Sequence, residues 1–571
     1  MPKKWIVAPQ ITDDVRNRFP ELHPVVLQLL YNRGVRTQEQ IDEFLNPDWG
    51  EDVHDPFLFR DMQKAVDRIM RAIEKKESIV VYGDYDADGV CSSAVLHDIL
   101  TDLGAHDVHV HLPHRETEGY GLNVPAVKEL IKRGSQLIVT CDCGTSNIEE
   151  ITLAQDSGID VIVTDHHHQP AKLPKPYAFL NPQLEGETYP FRHLAGVGVA
   201  YKLAQALVMH DARTAHRLPE GYDKWLLDLV AISTVTDMMP LIGENRTLVH
   251  YGLVVLRKSR RAGIQQLVNV MGNTPEKLDT TSIGFQIGPR LNAAGRMDHA
   301  NSAFELLIEK DATIATELAE KLDQKNKQRQ RLTETLVKDA EKQISEKPEH
   351  IMFVEGAEWP VGLIGLVAGR IADRYHRPVF AMTHKGEEIV GSGRSIEAFD
   401  ITQALVEHAE LFDRFGGHSQ ACGFTLPQER LELFKKTFHA LGKKVLRSED
   451  LVSVLSADMR LDLDRVDWEL IGTLEGFEPF GEHNPKPRFV AEGVSLDEVI
   501  PVGKDGKHLR LMVSQASGLV RKVMAFSGAD GRNGKLTAGS RIDMMYEVSV
   551  NEWNGNREIQ LKLIDSKPYG G

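Results

Sequence analysis

Carboxylate and imidazole side chains occur in this sequence in short clusters, most of which directly follow a run of apolar residues. The clustered residues are Asp84, Asp86 and Asp88, then Asp142, then Asp165, His166 and His167, and finally Asp237. Carboxylate and imidazole together suit Mn²⁺, Fe²⁺ or Zn²⁺, whereas oxygen ligands alone would favour Mg²⁺ or Ca²⁺. With so few imidazoles, Mn²⁺ is the favoured ion of the first three, and Mg²⁺ is the alternative. Because neighbouring carboxylates repel one another unless cations lie between them, the pattern predicts a pair of divalent ions, an arrangement typical of enzymes that break phosphate esters.

The apolar runs before the first three clusters have the composition of buried parallel strands. These runs are residues 79–82, 137–141 and 161–164, and segments with helical patterns separate them. Strands buried on both faces read as continuous apolar runs, and open α/β sheets bind ligands beyond the carboxyl ends of their strands. We therefore expect the three clusters to meet at one edge of a parallel sheet, with Asp237 brought there by a preceding helical stretch.

Two other interpretations of the clusters are weaker. Aspartates after strands are often helix N-caps, and a histidine run can be a solvated loop. The segment 83–89 also resembles the start of an EF-hand, but residues 90–96 are small or apolar and no glutamate closes the twelve-residue loop. A calcium loop is therefore not expected.

Composition predicts a soluble globular protein. The 571 residues suffice for about three to five domains. No apolar run is long enough to cross a bilayer and the first residues lack the apolar core of a secretory signal, so we expect a cytoplasmic protein without a membrane partner. The four cysteines fit reduced, buried thiols better than a disulfide framework.

The net charge of −16 argues against indiscriminate binding to nucleic acid, because bulk repulsion slows the approach of a polyanion. A local groove is still compatible with this charge, since salt screens interactions over about 10 Å. Basic residues cluster at 257–261 and again at Lys325, Lys327, Arg329 and Arg331. Each cluster is either part of such a groove or a solvated face.

Pattern changes along the chain predict five segments. They are an N-terminal segment 1–77, an α/β segment 78–311, one long charged helix 312–346, a second α/β unit 347–445, and a strand-rich segment with its linker, 446–571. The predicted strands of the last segment are 508–513, 519–526, 541–550 and 558–564, the last two joined by an Asn554-Gly555 hairpin turn. Such short strands suit a small barrel of the OB type, although the sequence alone leaves an SH3-like barrel open.

Several motifs resemble those of one known family. The Asp-Tyr-Asp-Ala-Asp-Gly motif at 84–89, the isolated Asp142 and the Asp165-His166-His167 triplet resemble the DHH phosphoesterase superfamily, and within it the sequence is similar to the RecJ family. Further motifs that carry the resemblance lie at 113–115, 119–121, 196–200, 234–241, 244–246, 288–297, 391–395 and 416–418. The resemblance implies a multidomain α/β fold: a parallel-sheet DHH domain and an α/β DHHA1 domain joined by the long helix, plus a C-terminal OB-type β-barrel.

The family resemblance also implies an activity. It is 5′→3′ exonuclease degradation of single-stranded DNA to 5′-mononucleotides by two-metal phosphodiester hydrolysis, in DNA repair and recombination. Single-stranded DNA is the implied partner, and single-strand-binding protein and a helicase are further candidates. We expect a monomer.

Site residues follow from the same resemblance. Asp142 would bridge two metals, with Asp84 on one and Asp86, His166 and Asp237 on the other, while His167 would contact the scissile phosphate and Asp88 and Asp165 would support the ligands. The implied 5′-phosphate pocket consists of Arg115, Ser392 and Arg394. Other implied contacts with DNA are those of Tyr120, Arg290, Asn292, Arg296, Arg370 and His418.

Two other functions compete with this interpretation. The first is a DHH phosphodiesterase acting on short oligonucleotides or cyclic dinucleotides, but such chains are usually shorter and lack a barrel. The second is a non-catalytic DNA-binding scaffold, but such relatives lose metal ligands, and every acidic and imidazole position is present here. Both alternatives are therefore less favoured.

Overall fold

The structure is a computed structural model that describes residues 3–503, 506–526, 536–553 and 555–570. The chain forms two compact units. One comprises residues 53–239 and 247–453, and the other combines residues 3–52 and 240–246 with the described part of 454–571. Among the described residues, no helix has both the length and the apolar character needed to cross a bilayer.

The first 50 or so residues contain one strand and short helices, and they belong to the unit that includes the C-terminal barrel. The elements are β1 (Lys4–Val7), α1 (Asp13–Arg18), α2 (Pro24–Asn32), α3 (Gln38–Leu45) and α4 (Trp49–Asp52). Helix α3 begins with a capping box in which Thr37 and Gln40 bond each other's backbone N–H groups. Val25 and Leu29 of α2 are buried in the core that this segment shares with the barrel strands.

A five-stranded, fully parallel sheet carries the first three polar clusters, as the apolar runs predict. This part contains α5 (Met62–Lys75), β2 (Ser78–Tyr82), α6 (Ala87–Asp102), β3 (Asp107–His111), α7 (Val124–Arg133), β4 (Leu137–Cys141), α8 (Ile148–Asp156), β5 (Asp160–Thr164) and β6 (Ala178–Leu180). The strand order is β3-β2-β4-β5-β6. Strands β2, β4 and β5 are almost wholly buried, which explains their continuous apolar sequences.

Helices follow the sheet and bring Asp237 to it. They are α9 (Gly196–Thr214), α10 (Leu227–Thr236), α11 (Gly243–Leu256), α12 (Ala262–Val270), α13 (Thr280–Ser282), α14 (Gly288–Met297), α15 (Asn301–Ile308) and α16 (Ala312–Lys342), with a π-helical turn at Ile283–Ile287. The long helix expected after residue 312 is confirmed as α16, which ends at Lys342.

The second α/β unit has a mixed five-stranded sheet in the order β10-β11-β9-β8-β7. Its elements are β7 (Met352–Gly356), α17 (Val361–Tyr375), β8 (Val379–Lys385), β9 (Glu388–Arg394), α18 (Ile401–Glu407), β10 (Arg414–His418), β11 (Ala421–Pro427) and α19 (Leu431–Val445). The rings of Phe380, Phe424, Phe434 and Phe438 pack together in its core, mostly edge to face. This core holds β9, which carries Ser392 and Arg394.

The C-terminal strands form a closed barrel. The elements are β12 (Val454–Ala457), β13 (Met459–Arg460), α20 (Trp468–Glu475), β14 (Arg488–Val502), β15 (His508–Ser514), β16 (Val520–Ala525), β17 (Arg541–Trp553) and β18 (Asn556–Pro568). Pairing of β14 with β17 closes the sheet. The four predicted strands are confirmed, but the sequence analysis missed β14. The predicted turn residue Asn554 lies outside the described residues, although β17 and β18 do pair as an antiparallel hairpin around it.

Candidate active site

The polar clusters meet at the carboxyl edge of the parallel sheet. Asp84 follows β2, Asp142 follows β4 and Asp165 follows β5, while Asp237 follows the last residue of α10. Ligand atoms lie within 4.8 Å of one another in three overlapping groups, which are Asp84, Asp86 and Asp142; Asp142, His166 and His167; and Asp88, His166 and Asp237. Five carboxylates and two imidazoles thus lie close together. We call the five carboxylates the carboxylate cluster; they are those of Asp84, Asp86, Asp88, Asp142 and Asp237.

Close backbone packing fixes the first cluster. Asp86 is the N-cap of α6, and its Oδ1 accepts hydrogen bonds from the backbone N–H groups of Asp88 (2.9 Å) and Gly89 (3.2 Å). A Cβ on Gly89 would lie 2.4 Å from the Asp84 nitrogen, so only glycine allows this approach. The helix-cap interpretation therefore holds for Asp86, which also lies in the carboxylate cluster.

Asp142 adopts an unusual backbone conformation. Its φ is +58°, in the left-handed region that non-glycine residues rarely adopt. A Cβ on Gly196 would lie only 2.6 Å from the Asp142 Cβ, so α9 begins directly against this side chain. Strain of this kind is typical of functional sites, where the surrounding structure holds the residue in place.

The carboxylates are buried close together with too few donors. Burial raises the pKa of Asp84, Asp142 and Asp237, and the neighbouring carboxylates raise all three further. Oδ1 of Asp84 and Oδ1 of Asp142 are buried and accept no hydrogen bond from the described residues, although Nε2 of His166 lies 3.1 Å from Oδ1 of Asp142. Buried anionic oxygens without donors fit metal cations, so this donor set is suited to divalent ions.

Asp165 holds the His167 ring. Its Oδ1 lies 2.7 Å from Nδ1 of His167, and it also accepts from the backbone N–H groups of His166 (2.7 Å) and His167 (3.2 Å). Burial alone would raise the pKa of Asp165 and lower that of His167, but this hydrogen bond and ion pair reverse both shifts. His167 is therefore oriented by Asp165 and carries its proton to higher pH than a free imidazole.

Asp88, in α6, forms hydrogen bonds with two other helices, α9 and α10. It accepts hydrogen bonds from the backbone N–H groups of Gly196 (2.7 Å) and Val197 (2.8 Å) at the start of α9, and from the hydroxyl of Ser233 in α10. Its Oδ2 is 3.7 Å from Nε2 of His166. These contacts place Asp88 where it fixes the positions of His166 and of the helix that carries Asp237.

Basic side chains converge beside the carboxylates. Burial lowers the pKa of Arg296 to about 9, and the neighbouring guanidinium groups of Arg115, Arg394 and Arg329 contribute to this shift. Arg370 in turn lies near Arg329 and lowers its pKa. We call these five residues the arginine cluster.

The arginine cluster has no anion at ion-pair distance among the described residues, although Asp86 acts on Arg296 and Arg115 acts on Asp84 from farther away. Within the described residues none of its members forms an ion pair, and the Nε atoms of Arg115 and Arg329 are buried without a hydrogen-bond partner. Arg394 Nη1 is 3.2 Å from the hydroxyl of Ser392, and Arg115 stacks 3.8 Å from the ring centroid of Tyr85. Clustered guanidinium groups that form no ion pair with the protein are suited to a phosphate.

The arginine cluster contains a residue to which the sequence analysis assigned no DNA contact. Arg329 was noted only within the basic run 325–331 on the long helix, where a solvated face was an equally good explanation. Its buried, unpaired Nε is a feature of the tertiary structure.

Other predicted DNA contacts have partners within the protein. Arg290 ion-pairs with Asp323 at 2.8 Å, and Asn292 Oδ1 accepts from the Ala87 N–H at 2.9 Å. The Tyr120 hydroxyl donates to the Asp142 carbonyl at 2.9 Å. The His418 ring lies 6.4 Å from that of His167, so it does reach the metal side. The roles of these residues in binding DNA stay predictions.

The other basic run noted in the sequence, 257–261, is largely structural. Arg261 is buried and forms ion pairs with Asp98 (2.6 Å) and Asp228 (3.3 Å), which raise its pKa although burial alone would lower it. Arg260 stacks on the Trp225 ring at 3.5 Å. This run therefore differs from the arginine cluster, because its buried guanidinium is neutralised by the protein.

Family models match three parts of the chain. The DHH family N-terminal domain matches residues 78–234, the DHHA1 domain matches 349–444 and the RecJ OB domain matches 457–565. The last match identifies the C-terminal barrel as the OB type and so resolves the choice between an OB-type and an SH3-like barrel that the sequence alone left open.

Named relatives match this chain over almost its whole length. The chain is 36% identical to the single-stranded-DNA-specific exonuclease RecJ of Bacillus subtilis over 99% of this chain and 70% of that protein. The structure is similar to that of Thermus thermophilus RecJ in complex with Mn²⁺, with a TM-score of 0.84 and 28% identity over 100% of this chain and 80% of the other. The Mg²⁺ complex of the same protein gives a TM-score of 0.76 and 27% identity, over 99% of this chain and 79% of the other.

Proposed function

Because the chain belongs to the RecJ family of single-stranded-DNA-specific exonucleases, we propose that it hydrolyses single-stranded DNA from the 5′ end and releases 5′-mononucleotides. The observation that carries this proposal is that arginines without ion pairs among the described residues adjoin a carboxylate cluster with buried oxygens that accept no hydrogen bond. Arg115 stacks on Tyr85, which lies between Asp84 and Asp86 in the chain. A site for a terminal phosphate is therefore adjacent to a site for cations.

The carboxylate cluster would hold two divalent ions, Mn²⁺ in preference to Mg²⁺. Asp142 would contact both ions, Asp84 one of them, and Asp86, His166 and Asp237 the other. When bound, two such ions supply a hydroxide at neutral pH and stabilise the charge on the attacking and departing oxygens. The orphaned oxygens of Asp84 and Asp142 support this assignment.

His167 would act on the scissile phosphate rather than as a ligand. Its Nδ1 is engaged by Asp165, and its Nε2, which lies 3.3 Å from the Tyr120 hydroxyl, is the nitrogen that would donate to a phosphate oxygen. The raised pKa of His167 keeps the ring protonated, and a charged donor binds phosphate more strongly than a neutral one. Asp165 is then a positioning residue, in the manner of carboxylates that orient imidazoles.

The arginine cluster would set the direction of degradation. Arg394, Ser392, Arg115 and Arg296 would bind the 5′-phosphate, and Arg370 and His418 would bind neighbouring phosphates. A terminal phosphate carries more charge and more free oxygens than an internal one, so a pocket with several guanidinium groups prefers it. The next phosphodiester then lies against the carboxylate cluster and is cut.

A monomeric cytoplasmic enzyme would suit this activity. Its substrate arises where a helicase separates duplex DNA, and single-strand-binding protein covers such strands, so both are expected partners in repair and recombination. The domain boundaries predicted from the sequence fit the same arrangement, with the metal site in 78–311 and the 5′-phosphate residues of β9 in 347–445.

The direct test uses single-stranded DNA carrying a label at the 5′ or the 3′ end, incubated with Mn²⁺ beside duplex DNA. We expect the 5′ label to appear as a mononucleotide at the earliest times, while the 3′ label stays on progressively shorter strands. Asp142→Ala should release neither label. Early release of the 3′ label, or internal cleavage, would contradict the proposal.

A further inference from the structure

Two apolar side chains near the candidate metal ligand Asp237 are unusually exposed. Among the large hydrophobic residues that the structure describes, Phe285 (78% exposed) and Met238 (67%) are the most exposed. Met238 directly follows the candidate ligand Asp237 and has a φ of +56°, so its backbone is held in a rare conformation. Single exposed hydrophobic residues are common, but the two most exposed ones lie close to the same helix end.

Phe285 belongs to a segment packed against that helix end. A Cβ on Gly288 would lie 2.7 Å from Oγ1 of Thr236, the last residue of α10, and a Cβ on Gly284 would lie 3.9 Å from Cγ1 of Val235. The segment forms a π-helical turn between α13 and α14. Such turns are rare and frequently occur at functional sites. Buried Ile283 and Ile287 anchor the turn and leave Phe285 outward.

Helix α14 connects Phe285 to the arginine cluster. Arg296 lies near the end of α14, eleven residues after Phe285, which corresponds to about 16 Å at 1.5 Å per residue. Between them Asn292 accepts a hydrogen bond from the N–H group of Ala87 (2.9 Å), the residue that follows Asp86. Along this helix, therefore, the exposed ring of Phe285 comes first, the contact with the segment that carries the carboxylates comes second, and Arg296 of the arginine cluster comes third.

We propose that Phe285, with Met238 beside the metal ligand, is a stacking surface for bases of the strand on the 3′ side of the bond being cut. This inference rests on the proposed function, because it places the 5′-phosphate at the arginine cluster and the retained strand toward the other end of α14. The span of about 16 Å corresponds to at most about five stacked nucleotides at roughly 3.4 Å each. An aromatic ring stacks on any base, so it adds affinity without sequence preference.

Length dependence of the kinetics tests the proposal. The substrates are 5′-phosphorylated oligothymidylates of two, four, six and twelve nucleotides with Mn²⁺. For the wild type we expect KM to fall with length up to about six nucleotides, and Phe285→Ala should remove that fall, raising KM for the longer strands roughly five- to one-hundred-fold with little change in kcat. Phe285→Trp should retain the length dependence.

The dinucleotide is too short to reach Phe285, so its cleavage reports whether the metal centre of the variant is intact. Leu433→Ala, at another exposed apolar residue on α19, is the matched control and should behave as the wild type. If the KM of Phe285→Ala falls with strand length as it does in the wild type, the inference that bases stack on Phe285 is wrong. If the wild type itself cleaves no strand, the proposed function fails instead.

Discussion

The carboxylate cluster and the arginine cluster carry opposite charges, and each contains buried polar atoms that make no hydrogen bond with the described residues. In the first, a buried oxygen each of Asp84 and Asp142 accepts no hydrogen bond from the residues that the structure describes, although Nε2 of His166 lies 3.1 Å from that of Asp142. In the second, the buried Nε atoms of Arg115 and Arg329 have no acceptor among those residues. Protein interiors normally pair such groups, as Arg261 is paired with Asp98 and Asp228. The two clusters lie close enough for Arg115 to favour the charged form of Asp84, and yet no ion pair joins them among the described residues. This is the arrangement expected if each cluster is completed by a different part of a metal-bound phosphate substrate.

The largest effect should come from removing one charge of the carboxylate cluster. Asp142→Asn should lower kcat with Mn²⁺ on the order of 10³-fold or more, because this residue contacts both proposed ion positions. The metal-free variant should nevertheless melt at a higher temperature than the wild type, since a buried repulsive charge is gone. Single-turnover rates and thermal melts in EDTA measure both effects.

Asp156→Asn, an exposed aspartate on α8, is the control for this change and should alter neither quantity. An Asp142→Asn variant with normal activity, or with a lower melting temperature in EDTA, would break the comparison between the two clusters.

Removing one member of the arginine cluster should have a smaller and selective effect. Arg394→Ala should lower kcat/KM about 10- to 100-fold on a 5′-phosphorylated strand, the usual range for a lost hydrogen bond to a charged group. A strand ending in a 5′-hydroxyl should lose far less, so the preference for the phosphate should disappear. Competition between the two labelled strands measures this ratio directly.

Arg133→Ala, on the surface at the end of α7, serves as the matched loss of positive charge. Equal losses on the two strands for Arg394→Ala would mean that the arginine cluster binds the strand generally and does not recognise its end.

The Asp165 to His167 contact lies beside the carboxylate cluster and predicts a pH effect. The Asp165 carboxylate raises the pKa of His167, so Asp165→Asn should lower that pKa, and activity that needs the protonated ring should be lost at lower pH. At neutral pH we expect kcat/KM to fall roughly tenfold, the lower end of the usual range for such supporting groups. A pH profile from 5 to 10 with an unmoved alkaline limb would show that His167 does not act in its protonated form.

The smallest effect concerns stability without metal. The pKa values of Asp84, Asp142 and Asp237 are raised in the folded state, so the folded protein binds more protons than the unfolded chain. Its free energy of unfolding should therefore fall as pH rises from the ordinary carboxyl pKa of about 4 through the raised values.

Calorimetric melts between pH 5 and pH 8 check this dependence. Bound Mn²⁺ should raise the free energy of unfolding by about 2.7 kcal/mol per site at one hundred times its Kd. At a fixed Mn²⁺ concentration the increase should be larger at pH 8 than at pH 5, because the ion must displace protons from the carboxylates at the lower pH. If the stabilisation by Mn²⁺ did not change with pH, the ion would not be bound by the carboxylate cluster.

The strands that carry the candidate metal ligands could be predicted from the sequence better than the strands of the C-terminal barrel could. Residues 79–82, 137–141 and 161–164 are apolar because both faces of their strands are buried, so the strand ends and their polar clusters were visible without a structure. Strand β14 was missed because Gly493 and Pro501 interrupt its pattern and its register shifts near Leu496. The pairing of β1 with β12 was also not predictable, since hundreds of residues separate the two strands.

Burial and pairing of charged groups required the tertiary structure. From the sequence, Arg290 and Arg394 were both candidate phosphate ligands, but Arg290 is occupied by Asp323, whereas Arg394 belongs to the unpaired arginine cluster. The left-handed φ of Asp142 and the close approach of Gly196 likewise have no signature in local sequence.

The most direct test of the two-cluster account is a crystal structure with Mn²⁺ and deoxythymidine 5′-monophosphate, with data collected at the manganese absorption edge. The account predicts two anomalous peaks among Asp84, Asp86, Asp142, His166 and Asp237, and the 5′-phosphate within hydrogen-bond distance of Arg394. A phosphate bound away from the arginine cluster, or manganese outside the carboxylate cluster, would contradict it.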